Sequence, residues 1–315
     1  ITLGPFAAAT GYNLLHQHLY SDCVFHNAHF IRGGTGNLAE TLLKSAESVG
    51  VDIRTHSTVQ SINVANGICS GVTLEGGKII TAAKVVSGLD PTHTFIRLVG
   101  PAELNPSFFT QIRNIKYRGS VSRIHFALNS LPEIKGVSQD QMGTVFSVSP
   151  SIKYIERAAD AAKYGCIAED PYVEFTIPSV IDSNFAPEGK HVLSATVQYS
   201  PYRLRNQTWS EELKVQLKNN VTRVLENYIP GFSAQIKSSA VLSPVDLEEN
   251  FGLTEGNLNH GEMTLNQFFF MRPTISSAQY KSPIENLYLC GPGTHPGGGL
   301  HGANGFNAAR EILKL

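Results

Sequence analysis

Two hydrophobic patterns alternate along the first third of the chain. Residues 38–49 carry apolar side chains at intervals of three and four, which predicts an amphipathic helix that Gly50 ends. Short apolar or alternating runs predict strands at residues 51–55, 59–64, 68–74 and 83–87. Asn66-Gly67 between the middle pair is typical of a β-hairpin turn. Residues 33–90 therefore favour an α/β unit.

The middle of the chain, residues 91–283, has a different pattern. Alternating segments that predict an antiparallel sheet lie at residues 120–128, 172–177 and 191–199. Apolar residues with helical spacing lie at 151–164 and 210–229, and Ser210 is a suitable N-cap for the second helix. A sheet-and-helix domain of this kind could cover a cofactor or hold an apolar substrate.

The end of the chain predicts a strand, a glycine-rich loop and a helix in that order. A short apolar run at 287–290 precedes seven glycines and two prolines within fifteen residues, and helix formers follow from Ala303. Glycines bring bare backbone N–H groups close to a ligand, and a helix N-terminus favours anionic or electron-rich groups. A tight strand-to-helix turn without a ligand is the simpler alternative, which needs fewer glycines.

Composition and charge exclude several classes of protein function. The 315 residues are 42% hydrophobic and 16% charged with a formal net charge of -1, which indicates a globular protein. No basic run or zinc-finger spacing points to a nucleic acid, and no apolar stretch is long enough for a membrane span. The four cysteines are Cys23, Cys69, Cys166 and Cys290. Their scatter favours reduced thiols and an intracellular location, cytoplasmic or in the mitochondrial matrix of a eukaryote.

Two groups of residues compete as chemical sites. The polar loop 252–263 delivers His260 just ahead of Arg272, which together suit the rim of an active site. Earlier, Gly34-x-Gly36-x-x-Ala39 matches a loose dinucleotide fingerprint. Asp52 follows at a suitable distance but at the start of a predicted strand, whereas the fingerprint needs its acid at a strand end. An NAD-dependent dehydrogenase is therefore the less favoured interpretation.

The terminal motif Gly291–Gly299, followed by Gly302 and Gly305, resembles the C-terminal flavin motif of phytoene desaturase and carotenoid isomerase-like flavoproteins. Further segments resemble the same family in the same order along the chain: residues 33–36, 85–91, 246–248 and 257–273. The resemblance implies an FAD-dependent oxidoreductase, or its C-terminal part, that exchanges a hydride between an apolar small-molecule substrate and flavin. A protein partner or a homo-oligomer is compatible with it.

The resemblance also implies a fold and site residues. The fold would be mixed α/β, with a partial Rossmann-like FAD-binding domain at 33–90 and 284–315 and a substrate domain at 1–32 and 91–283. The expected cofactor-binding residues are Val59, Gly291, Gly293, Gly298, Gly299, Gly302, Ala303 and Asn304. The side chains expected near the flavin, as catalytic candidates, are His295, His260 and Arg272. No metal ligand set is expected.

One departure from the family concerns the FAD pyrophosphate. The resemblance implies that a βαβ dinucleotide-binding unit would precede Ile1, and this unit carries the helix N-terminus that binds the pyrophosphate. We therefore expect the 315-residue chain to bind FAD weakly. A non-catalytic binding or scaffold protein on a flavoprotein fold is the alternative function.

Overall fold

The computed structural model describes residues 3–8, 10–11 and 30–314. The helices are α1 (Thr35–Ser48), α2 (Pro106–Arg113), α3 (Ile152–Lys163), α4 (Pro178–Ile181), α5 (Glu211–Glu226), α6 (Phe232–Gln235), α7 (Pro244–Phe251) and α8 (Ala303–Leu313), with a π-helix at Thr92–Val99. The strands are β1 (Val59–Ala65), β2 (Ile68–Leu74), β3 (Ile79–Thr81), β4 (Val85–Ser87), β5 (Val121–Leu128), β6 (Phe146–Val148), β7 (Tyr172–Thr176), β8 (His191–Gln198), β9 (Ile236–Leu242) and β10 (Leu287–Leu289). Three cysteines are free thiols, and Cys23 lies outside the described residues.

The alternating segments form the predicted antiparallel sheet, with five strands in the order β6-β7-β8-β5-β9. Every second residue of β5 is buried, and Ile124 and Phe126 pack in one core with Leu217 of α5. Ser210 caps α5 as predicted, because its hydroxyl accepts a hydrogen bond from the N–H of Leu213. The sheet and α5 thus bury each other's apolar faces.

The predicted hairpin is also present. Strands β1 and β2 pair antiparallel, and the turn residues Asn66 and Gly67 both have positive φ, at 53° and 77°. Positive φ at both central residues is the requirement of a type I′ turn, whose twist matches that of the flanking strands. Strand β3 extends this sheet beside β2.

A parallel pair of strands joins two distant parts of the chain. Strand β10 pairs with β4 in register, Leu287 opposite Val85 and Leu289 opposite Ser87. Val86 in the middle of β4 is 44% exposed. Two parallel strands alone leave sheet faces uncovered. Their carboxyl ends nevertheless deliver two loops to the same place, as open α/β sheets do.

The predicted strand at residues 51–55 does not form. The segment has no ladder with any described strand, and Val51 and Ile53 are 50% and 37% exposed. Helix α1 before it forms as predicted, although none of its residues is buried. A strand needs a hydrogen-bonding neighbour, whereas a helix satisfies its backbone internally.

The described residues contain three hydrophobic clusters, of which the smallest packs Ala158 and Ala159 of α3 against Tyr199 and the two others are larger cores. One lies between the five-stranded sheet and α5. The other packs Phe95 and Phe108 with Ile62 of the hairpin and Leu287 of β10. The domain boundaries stay a prediction, and residues 1, 2, 9 and 12–29 of the proposed substrate domain lie outside the described residues.

Candidate functional site

The glycine-rich loop after β10 packs tightly on the loop after β4. A Cβ at Gly291 would lie 2.3 Å from the carbonyl oxygen of Gly88, and one at Gly293 would lie 2.8 Å from Cδ of Pro91. Real Cβ atoms do not come this close to other atoms, so both glycines are required by contact with the protein, Gly291 with the backbone of Gly88 and Gly293 with the ring of Pro91. The sequence suggested contact with a ligand for these two positions, whereas their immediate neighbours are protein atoms.

Buried side chains fix the shape of the loop. The Thr294 hydroxyl donates to the carbonyl of Gly291 at 2.8 Å, and Nδ2 of Asn304 donates to the carbonyls of Thr294 and His295 at 3.0 and 3.2 Å. The Tyr280 hydroxyl donates to the same His295 carbonyl at 2.7 Å. The side chain of Asn304 is thus engaged in holding the loop, which leaves its backbone for other contacts.

The N-terminus of α8 is the part of the loop with free space in front of it. Gly302 is the N-cap in the left-handed conformation, and the N–H of Ala303 donates to Nδ1 of His301. The N–H groups of Asn304 and Gly305 have no acceptor among the described residues, as first-turn geometry dictates. A Cβ at Gly302 or Gly305 would meet nothing within 4 Å. This cradle fits the electron-rich edge of a planar ring such as a flavin.

The remaining predicted cofactor residues lie in different surroundings. A Cβ at Gly298 would lie 1.9 Å from Oδ1 of Asn259, so the preceding polar loop packs there. The closest atoms to Gly299 belong to His301. Val59 begins β1 opposite Leu74 in the hairpin. These placements leave the roles of the three residues as predictions.

Both candidate histidines contact the loop. Nδ1 of His260 lies 3.3 Å from the Cβ position of Gly291 and has no hydrogen-bond partner among the described residues. Nδ1 of His295 is likewise unpartnered there, and its ring lies 6.2 Å from that of Phe269. Burial lowers the pKa of each imidazole; for His260, Arg272 and His93 add to this while Asp90 opposes it. Both rings are therefore neutral near pH 7.

Acidification is expected to destabilise the protein through His260. A histidine whose pKa is depressed by folding takes up a proton more readily when unfolded, so stability is lost as pH falls below about 6.5, the unfolded value. Urea unfolding at about pH 7.5 and about pH 5.5 measures the loss, which should be smaller for His260→Gln than for the unaltered protein. Because other histidines contribute equally to both proteins, an identical loss in the two would contradict this assignment.

Arg272 is brought to the loop as predicted, but its guanidinium faces the backbone. The residue is 2% exposed. Nη1 donates to the carbonyls of Glu262 and Gln267 at 3.0 and 2.9 Å, and Nη2 donates to those of Asn259 and Pro292. Arg272 thereby ties the polar loop to the glycine-rich loop.

A buried carboxylate that sequence reasoning did not single out lies beneath the same loops. Asp90 is 2% exposed and accepts hydrogen bonds from the hydroxyls of Tyr117 and Thr254 at 3.1 and 2.7 Å and from the N–H of His93 at 2.9 Å. Burial and the Asp90 charge raise the pKa of Tyr117 far above its usual range, so it stays a neutral donor. The position of Asp90 after a strand was the available signal; nothing in the sequence indicated Tyr117.

The candidate NAD site lacks the surroundings it needs. No strand precedes Gly33 among the described residues. The N–H of Gly33 already donates to the carboxylate of Asp182 at 2.8 Å, and a Cβ at Gly34 would lie 3.0 Å from the ring of Phe185. Asp52 pairs with Arg54 instead of ending a strand. A phosphate at this helix N-terminus would have to displace a carboxylate.

The described part of the chain offers neither a cluster of metal ligands nor a membrane-spanning helix. It contains no group of three or more His, Cys, Asp or Glu side chains arranged to hold a metal ion. None of its helices has both the length and the apolar character needed to cross a membrane.

Comparison with known sequences supports the resemblance seen in the motifs. A family model described as flavin containing amine oxidoreductase matches residues 9–313. A pyridine nucleotide-disulfide oxidoreductase domain-containing protein 2 from Rattus norvegicus is 34% identical over 98% of this chain and 55% of its own length. A lycopene-forming phytoene desaturase from Pantoea ananas is 27% identical over 99% of this chain and 60% of its own length. The chain thus spans a little over half the length of these curated relatives.

Solved structures with a similar fold support the predicted fold class. An oxidoreductase from Methanosarcina mazei superposes with a TM-score of 0.57 at 16% identity, covering 90% of this chain and 55% of that one. Cyclohexylamine oxidase from Brevibacterium oxydans gives 0.50 at 12% identity, covering 88% and 52%. These likenesses concern the fold alone, and they confirm the predicted mixed α/β class with its antiparallel sheet.

Proposed function

The chain belongs to the flavin-containing amine oxidoreductase family, and from this premise we propose that it forms part of an FAD-dependent oxidoreductase acting on an apolar substrate. One observation carries the proposal: the N-terminus of α8, where Gly302 and Gly305 leave free space and two N–H groups have no acceptor among the described residues. Bound FAD would supply the group that accepts or returns a hydride. The protein would supply its position and the local field.

The backbone of the loop would hold the ring half of the cofactor. The N–H groups at the start of α8 would face the pyrimidine edge of the flavin, where a helix N-terminus stabilises developing negative charge by about 0.3–2 kcal/mol. Gly291 and Gly293 would set the path of the loop beside the ribityl chain. Arg272 would serve as a positioning residue, because five backbone carbonyls already accept hydrogen bonds from it, those of Asn259, Gly261, Glu262, Gln267 and Pro292.

An apolar substrate suits the cavity beside the loop. This cavity of about 580 Å³ is lined by His295 together with Phe269, Phe270 and Ile275. Its volume is within the usual range for small-molecule sites, and its wall also includes Ser276, Gln279 and Lys281, whose charge is paired with Glu311. A neutral His295 would contact the substrate there without adding a charge that an apolar molecule cannot compensate. His260 packs against Gly291 and keeps only a candidate role.

The pyrophosphate half of an FAD site has no counterpart among the described residues. The other glycine-led helix N-terminus, that of α1, already holds the carboxylate of Asp182. We therefore propose that the chain recognises the isoalloxazine ring and adds little affinity for the adenine nucleotide. The similar proteins give no support to the alternative of a non-catalytic scaffold, and the intracellular location stays a prediction.

Titration with two flavins tests this proposal. If the chain holds only the ring half, riboflavin and FAD should bind with dissociation constants within about threefold of each other, both weaker than about 1 μM. Quenching of flavin fluorescence gives both constants, and Gly305→Val should abolish binding of both by filling the cradle. FAD binding at least about a hundredfold tighter than riboflavin binding would show a pyrophosphate site and contradict the proposal.

A further inference from the structure

A second and larger cavity lies apart from the glycine-rich loop. Its volume is about 680 Å³, within the range of small-molecule sites. Its walls come from residues 3–7, the inner face of α3, the loop between α2 and β5, and the loop after β8. None of the residues that line it belongs to the glycine-rich loop, so it is distinct from the candidate flavin cradle.

Hydrogen bonds hold the walls of this cavity together. The hydroxyl of Tyr199 donates to the carbonyl of Leu3 at 3.2 Å, and Glu156 of α3 accepts from the N–H of Phe6 at 2.8 Å. On the far side, the N–H of Gly119 donates to the carbonyl of Glu255. The cavity is therefore built by pairing between separate segments and does not result from loose packing of one loop.

Most of the uncharged wall is apolar. Its side chains include Leu3, Phe6, Ile115, Ala159, Ala162 and Pro201. Small alanines on α3 leave the width of the cavity free, and Ala159 is itself buried. Such a wall suits a hydrocarbon body and offers little to a sugar or a nucleotide.

The charges of the lining are unequal. Five cationic side chains line the cavity, namely Arg113, Lys116, Arg118, Lys163 and Arg203, against the three carboxylates Glu156, Asp160 and Glu255. Arg203 pairs with Glu255 at 2.8 Å, and Arg118 pairs with Glu262. Among the described residues, Arg113 and Lys116 form no ion pair. Helix α3 carries Lys163 beside the two carboxylates Glu156 and Asp160, so the excess of positive charge lies at Arg113, the last residue of α2, and at Lys116 just after it.

We propose that this cavity binds a long-chain carboxylate, with its hydrocarbon body against the apolar wall and its carboxylate beside Arg113 and Lys116. The apolar wall selects the body, and the uncompensated cations select one anionic group. A phosphate-rich ligand is a poorer match. The wall has no glycine-rich phosphate loop, and no helix among the described residues points an uncapped N-terminus into the cavity. The proposal does not rest on flavin binding.

Fluorescence titration with cis-parinaric acid and with its methyl ester tests the proposal on the whole chain. The acid should bind about tenfold more tightly than the ester, since only the acid engages the cations. Replacing both cations in Arg113→Gln/Lys116→Gln should reduce the affinity for the acid to that for the ester and leave ester binding unchanged. The matched control Lys78→Gln/Lys237→Gln, which removes two exposed lysines outside the lining, should change neither.

A variant that fills the cavity separates binding there from binding elsewhere. Ala162→Trp should abolish binding of both probes while circular dichroism shows an unaltered fold. Equal affinities for acid and ester, or unaltered affinity for the acid in Arg113→Gln/Lys116→Gln, would overturn the proposal. Binding to vesicles of phosphatidylglycerol without binding of monomeric parinaric acid would also overturn it and would assign the cations to a lipid surface.

Discussion

Arg272→Ala is expected to lower the free energy of unfolding by about 3–5 kcal/mol. The guanidinium is 2% exposed and donates to the carbonyls of Asn259, Glu262, Gln267 and Pro292. Removing it leaves several buried acceptors without donors, and each such group costs about 1–3 kcal/mol. The polar loop and the glycine-rich loop would also lose the side chain that links them.

Urea unfolding of three variants measures this effect. Arg272→Lys should recover less than half of the loss, because one ammonium group cannot match the planar fork of donors. Arg97→Ala is a matched control, since its side chain is 49% exposed and pairs at the surface with Glu248; it should cost less than about 1 kcal/mol. If Arg272→Ala costs no more unfolding free energy than Arg97→Ala, the role assigned to Arg272 in linking the two loops is wrong.

The same substitution at two glycines of the terminal motif is expected to have opposite effects on stability. A Cβ at Gly291 would lie 2.3 Å from the carbonyl oxygen of Gly88, a backbone atom that cannot turn away as a flexible side chain can. Gly291→Ala should therefore cost about 2–3 kcal/mol of unfolding free energy. Gly305 lies in the first turn of α8 with nothing within 4 Å of its Cβ position, so Gly305→Ala should stabilise by about 0.5–1 kcal/mol.

For Gly305→Ala, flavin affinity and stability should change in opposite directions. Because Gly305 faces the proposed cradle, Gly305→Ala should weaken riboflavin binding by about tenfold despite its higher stability. Thermal unfolding and flavin titration on the same samples give both quantities. A Gly305→Ala protein that binds riboflavin like the unaltered chain would remove Gly305 from the cradle, and a Gly291→Ala protein of unaltered stability would contradict the backbone contact with Gly88.

Local patterns predicted most elements because each depends on neighbours in sequence. The hairpin at Asn66-Gly67 and the cap at Ser210 follow from the preferences of a few adjacent residues. The strand predicted at residues 51–55 failed because a strand depends on a partner elsewhere in the chain. The terminal strand-loop-helix succeeded because strand, glycines and helix are all contiguous.

Only part of the candidate site could be predicted from the sequence. The motif located the loop and its helix, and the spacing of polar residues brought His260 and Arg272 into consideration. The roles of individual residues follow from contacts between segments that are distant in sequence. Arg272 donates to five backbone carbonyls, Gly291 packs against Gly88, and Asp90 accepts hydrogen bonds from Tyr117 and Thr254.

The amino-acid sequence by itself determined the family and the class of fold, and it predicted the segment where a flavin ring would lie, because glycine spacing and hydrophobic periodicity are local properties. Only the tertiary structure decided which glycines face free space and which face protein. Gly302 and Gly305 lie at an open helix end, whereas Gly291 and Gly293 fill the contact between two loops brought together by the pairing of β4 with β10. That distinction depends on atoms from distant parts of the chain, which no spacing within the motif records.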